Sequence, residues 1–72
     1  MKFWFFGGGG STFVAAAECA TEEGARRLAL DYNRQPGPLG SVDLIADNPD
    51  PDHATVRLTV GKSPDSPEHR DD

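Results

Sequence analysis

Lys2 to Glu18 reads KFWFFGGGGSTFVAAAE, and the fold turns on how this stretch is parsed. Aromatic residues suit the pleated, half-buried surface of a sheet, so Lys2 to Phe6 is predicted as a strand that the glycines at 7 to 10 end. Thr12 to Glu18 is predicted as the returning strand. Gly7 to Ser11 has the composition of a flexible linker, yet it lies where a hairpin loop is required. Alternate residues of a strand face opposite sides, so Phe3 and Phe5 share one face while Trp4 and Phe6 share the other. A single helix covers only one of them. The second aromatic pair, with Ile45 beside it, is then an exposed apolar patch unless another segment covers it.

Beyond Glu18 the period changes. Ala25, Leu28, Ala29 and Tyr32 fall at i, i+3, i+4 and i+7, which predicts a helix from about Thr21 to Asn33 with Thr21 as its N-cap and Glu22 and Glu23 at the positive end of its dipole. Pro36 and Pro38 forbid its continuation. Ser41 to Ala46 and Ala54 to Val60 alternate apolar and polar residues, the pattern of half-buried strands, and the proline- and aspartate-rich segment Asp47 to Asp52 between them is a turn. The order is ββαββ, which predicts an α+β fold: a four-stranded, mainly antiparallel sheet with one helix on one face. Its expected core is Phe13, Ala15, Leu28, Ala29, Tyr32, Val42, Leu44, Val56, Leu58 and Val60, joined by one aromatic pair of the first strand.

The chain has 72 residues, 36% hydrophobic and 26% charged, with net charge −5. That is one small domain, expected over residues 1–62, with a thin core and no depth for an enclosed catalytic pocket. Residues 63–72 contain no aliphatic or aromatic side chain and are expected to form a disordered acidic tail. The lone Cys19 cannot close an intrachain disulfide, and one thiol with two histidines cannot complete a closed four-ligand zinc site. The apolar run Phe3 to Phe6 is too short for a signal peptide or a membrane span, so no membrane association and a cytoplasmic location are expected. Residues 1–40 balance four basic against four acidic side chains, and the excess acid lies in the 43–52 segment and the tail. With Arg26, Arg27 and Arg34 as the only basic cluster, the charge argues against binding a phosphate backbone.

Four features could carry chemistry, and each has a plainer reading. The glycine run before Ser11 and Thr12 lacks the lysine of a phosphate-binding loop and leads into a strand, so it is read as a turn. Cys19 lies just before a helix N-terminus, where a thiol can be activated, but nothing in the sequence brings His53 to it as a base. Asn48, Asp50 and Asp52 have the alternate spacing of calcium-loop ligands, yet His53 and Thr59 stand where glycine and glutamate are needed. No metal and no cofactor are expected. The aromatic strand remains, because aromatic side chains dominate interface energetics.

Thr12 to Leu30, TFVAAAECATEEGARRLAL, resembles the strand, acidic cap and helix of many small uncharacterised proteins of actinobacteria and their phages. The composition is in keeping, with eight Gly, six Pro and five Arg against two Lys and one Ile, as GC-rich codons produce. The resemblance covers about a quarter of the chain and implies an accessory or host-modulating role, with no binding or catalytic residue carried over.

The sequence thus predicts a non-enzymatic protein-interaction module, a regulator, inhibitor or assembly factor, that binds a protein partner or itself as a homodimer. The expected interface is Phe3, Trp4, Phe5, Phe6 and Ile45, with Arg26, Arg27, Asp47, Asp50 and Asp52 as electrostatic contacts. Two alternatives from other classes are single-stranded nucleic-acid binding, by aromatic stacking with Arg26, Arg27 and Arg57 on phosphates, and mimicry of DNA by the acidic loop and tail.

Overall fold

A computed structural model describes residues 1–60; the expected tail at 63–72 and the domain boundary at 62 lie outside the described residues. Strand β1 (Lys2–Gly7) runs into a glycine turn and returns as β2 (Thr12–Glu18). Helix α1 (Glu22–Asn33) follows, and then the short strands β3 (Leu44–Ala46) and β4 (Arg57–Thr59). The four strands form one sheet in the order β2-β1-β3-β4, antiparallel throughout. This is the α+β architecture predicted, with β1 at the centre because its aromatic residues are the bulkiest the chain has to bury.

The first turn shows why glycine fills it. Gly8, Gly9 and Gly10 have φ of 61°, 70° and 105°, the left-handed region that side-chain-bearing residues avoid. The turn is fixed as well as tight: the Gly9 N–H donates to both carboxylate oxygens of Asp43, at 3.0 and 3.2 Å. The glycine run therefore receives an anionic group, and that group is the protein's own.

Helix α1 begins as its sequence dictates. Thr21 Oγ1 accepts the Gly24 N–H at 3.0 Å, the capping bond expected of a threonine at this position. Ala25 and Ala29 are fully buried, so the helix backbone lies close against Phe3, Phe5 and Ile45 of the central strands, with Val42 and Val60 completing that layer. At the other end of the helix, Asn33 clamps the loop that leads into β3. Its Nδ2 donates to the Val42 carbonyl and its Oδ1 accepts the Val42 N–H, both at 2.8 Å. This clamp shortens β3 relative to the expected Ser41–Ala46, since the Val42 backbone bonds to a side chain instead of a neighbouring strand. Ladder-like bonds still continue past the strand ends, from Asp43 N–H to the Phe6 carbonyl at 2.9 Å and from Val60 N–H to the Asp43 carbonyl at 3.1 Å.

On the other side of the sheet, Phe6, Leu44 and Ala46 form a second buried cluster with Trp4 and Ala54 packed against it. Among the described residues no α-helix lies there. Cover comes from the turn between β3 and β4, where Pro51–His53 form one turn of 3₁₀ helix, and the glycine turn reaches the same place, Gly10 lying against Leu44.

Three residues expected in the core are exposed: Phe13, Ala15 and Leu28. The physical reason is the strand order. β2 is an edge strand that the helix covers only in part: Val14 and Ala17 pack against the helix-side core, Ala15 and Leu28 line an open groove beside it, and Phe13 lies on the other face.

Candidate interaction surface

The aromatic strand divides between the two faces as its alternation requires, but less of it reaches the surface than the sequence suggests. Phe3 and Phe5 are buried beneath α1. Ile45 is fully buried in that same layer, not beside the second pair, because it lies directly across from Phe5. Phe6 is only 4% exposed, held by Leu44 on one side and by an edge-to-face contact with Phe13, ring centroids 5.7 Å apart, on the other. Of the four aromatic residues of β1, only Trp4 is half-exposed, with the Lys2 ammonium 5.6 Å from its ring centroid. The expected patch on β1 is thus corrected: Phe3, Phe5, Phe6 and Ile45 are packing residues.

Apolar surface appears instead along β2. Phe13 is 51% exposed and Leu28 42%. A bulge sets the first of these. Phe5 pairs with Ala15 and Phe6 with Phe13, so Val14 has no partner on β1. This extra residue puts Phe13 against Phe6 on one face, while Val14 packs toward the helix on the other. Between β2 and α1 lies an open groove of about 190 Å³. Its floor is Val14, Ala15 and Ala17 with Phe5 behind them, and its wall is Leu28 and Tyr32; no polar atom lines it. The Tyr32 hydroxyl is turned to the loop, where it accepts the Gly37 N–H at 2.9 Å. The groove exists because the residues of β2 beneath the helix flank are alanines, too small to fill the space that the edge leaves.

The charged residues do not gather on this surface. Arg26 reaches the opposite side of the helix, its guanidinium 3.4 Å from the Thr59 carbonyl. Arg27 is exposed. Asp47 is a turn-builder: its carboxylate accepts from the Thr55 hydroxyl and N–H and from the Val56 N–H, and the Thr55 hydroxyl above all holds its pKa below the ordinary aspartate value. Asp50 accepts from the Asp52 N–H and contacts His53 Nδ1 at 2.7 Å, which lowers its pKa as well. Asp52 is exposed in the same turn. The Asp47 and Asp50 carboxylates thus hold the β3–β4 turn in shape through local hydrogen bonds. Among the described residues no cluster of three His, Cys, Asp or Glu could hold a metal ion. Cys19 packs against the helix-side layer, and His53 is taken by Asp50.

Among the described residues no helix is long and apolar enough to cross a membrane. No protein-family model matches the chain, and neither a curated protein nor a solved structure matches it. The surface has to be read from its own chemistry.

Sequence reasoning missed the edge position of β2. Strand order is a long-range property, but a signal was present: a strand of three consecutive alanines offers too little bulk to sit at the centre of a sheet.

Proposed function

We propose that this protein is a small non-enzymatic interaction module that docks another protein chain along the β2 side of its sheet, as a regulator, inhibitor or assembly factor in a reducing cytoplasm. One observation supports the reading most: an apolar groove beside an uncovered sheet edge, with no carboxylate, imidazole, amine or thiol in its lining. Acid–base and nucleophilic catalysis need such groups held against a substrate. A groove of Leu28, Tyr32 and alanines, with Phe13 exposed on the other face of the same edge strand, instead offers apolar area, the chief source of affinity at protein interfaces.

The test is site-specific crosslinking. A photoreactive phenylalanine analogue in place of Phe13 should capture a discrete partner in the source cells, whereas the same analogue in place of Arg57, on the opposite edge, should not. Equal capture at both positions, or none at Phe13, would overturn the proposal.

A second reading has one observation in its favour. Trp4, Ala46 and Arg57 are paired in a row across the sheet, with Lys2 beside Trp4, so an aromatic ring and two cations share one face as a single-stranded nucleic acid would require. Against it, Phe6 is buried and Arg26 lies with the helix on the other face. Affinity for oligonucleotides that falls steeply with salt would favour this reading over the first.

A further inference from the structure

The two edges of the sheet are built differently. β4 has three residues, Arg57 stands exposed on it, and the Arg26 guanidinium contacts its Thr59 carbonyl, so that edge is short, charged and partly occupied. These are the devices by which proteins keep an edge from pairing with another chain. β2 has seven residues and carries no proline and no lysine, and its single charge, Glu18, is the last residue. From Ala15 to Glu18, beyond the bulge, its register with β1 is regular. Among the described residues nothing pairs with its outer side.

We propose that β2 is a site of strand addition, which takes an extended segment of a partner protein as a fifth, antiparallel strand; this rests on the interaction reading above and names the chemistry of its partner. Three features define that segment. Alanines floor the groove, so the incoming strand must supply the bulk: Leu, Ile or Val at alternate positions pointing toward Leu28 and Tyr32. The edge from Thr12 to Ala17 is uncharged, which calls for neutral residues between them. Beyond its C-terminal end Glu22 and Glu23 are exposed, while Glu18, its last residue, already meets the N-terminal ammonium at 3.4 Å, so Glu22 and Glu23 place basic residues at that end of the segment. The sheet is antiparallel throughout, which puts those basic residues at the segment's N-terminus.

The rival occupants fit less well. A second copy pairing through β2 would bring to the groove face only alanines and Val14, since its Phe13 lies on the other face. The chain after Val60, GKSPDSPEHRDD, contains no aliphatic or aromatic side chain to place there.

The experiment is a titration of the full chain, followed through its backbone amides, with a synthetic peptide Lys-Arg-Leu-Thr-Ile-Thr-Val-Thr. Saturable shifts confined to Thr12 to Glu18 and to Leu28, with slowed amide exchange in β2, are expected at micromolar to submillimolar peptide. N-methylation of alternate peptide nitrogens should abolish the shifts, since the ladder needs those donors. Two glutamates in place of Lys-Arg should weaken binding at least about tenfold at low salt, and Leu28→Glu should do the same without unfolding the protein, because Leu28 is half-exposed. The proposal is overturned if the N-methylated peptide binds equally, if shifts fall on Trp4 and Arg57 instead, or if no peptide binds. It is also overturned if β2 amides shift on concentrating the protein alone, which would assign the edge to a second copy. Failure here together with capture at Phe13 would leave the interaction reading standing and remove only the strand-addition mode.

Discussion

The two faces of β1 are covered by different means, and the contrast explains how so few residues make a core. On one face a helix presents alanines, so that its backbone comes close enough for Phe3, Phe5 and Ile45 to fill the layer completely. On the other, a proline- and aspartate-stiffened turn covers Phe6, Leu44 and Ala46 and stops short of Trp4 and Phe13. A helix can roof a sheet two strands wide, whereas a turn roofs about one. What neither reaches stays exposed, Trp4 in part and Phe13 and Leu28 beside the β2 edge.

If the helix-side layer is the main source of stability, Phe3→Ala should be the most damaging substitution. It removes a fully buried ring, at a cost of about 3–5 kcal/mol, a large part of what a domain of this size possesses. Trp4→Ala, on the turn side, should cost about 1 kcal/mol, with the lost Lys2 contact included. Urea denaturation followed by far-UV circular dichroism compares the two, and equal losses would break the contrast. Gly7→Ala should come next. A Cβ there would lie 2.5 Å from the Ser41 carbonyl oxygen, and since a Cβ cannot rotate away and its partner is backbone the strand must shift, at a cost of about 1–3 kcal/mol. Asn33→Ala, which leaves both polar groups of Val42 without their partner, should cost about 1–2 kcal/mol and raise the exchange rate of the Val42 amide.

How much of this was legible in the sequence follows from the range of each interaction. The capping threonine, the alternation of Phe3 to Phe6 and the glycine turn are local, and the chain alone gave the strands, the helix and their order. The pairing of β1 with β3 was not legible, and with it went the assignment of Ile45 to the helix side and of β2 to the edge. The bulge at Val14 is equally silent, because it reverses the face of Phe13 without changing the residue pattern on either side. Local pattern therefore points to the most aromatic strand as the site, which is also the strand a small domain can least leave exposed.

The turn that covers the second face depends on ionised carboxylates, and this gives the contrast a pH signature. Asp47 and Asp50 have folded pKa values below that of an ordinary aspartate, so each adds stability that is fully present above the unfolded value, about 3.9, and is lost as pH falls through the folded one. Thermal melting should accordingly begin to drop below about pH 4. In Asp47→Asn the acid-side drop should be shallower, and an unchanged slope would show that other groups govern it.

The smallest effect is expected at Phe13, and it is the most informative about the edge. Its ring is 51% exposed and its one aromatic contact is edge-to-face with Phe6. Such a pair is worth about 0.5–1.5 kcal/mol beyond the area it buries. Much of that area is wet already, so Phe13→Ser should lower stability by no more than about 1 kcal/mol. Phe6 would be left more open to water on that side, and its neighbours Leu44 and Ala46 should report this by amide shifts while Phe3 and Ile45, across the sheet, do not. A loss near that of Phe3→Ala would mean that β2 is anchored by its aromatic residue rather than by its ladder to β1. The edge would then be a structural element first, with its alanines available to a partner only as long as Phe13 holds it in place.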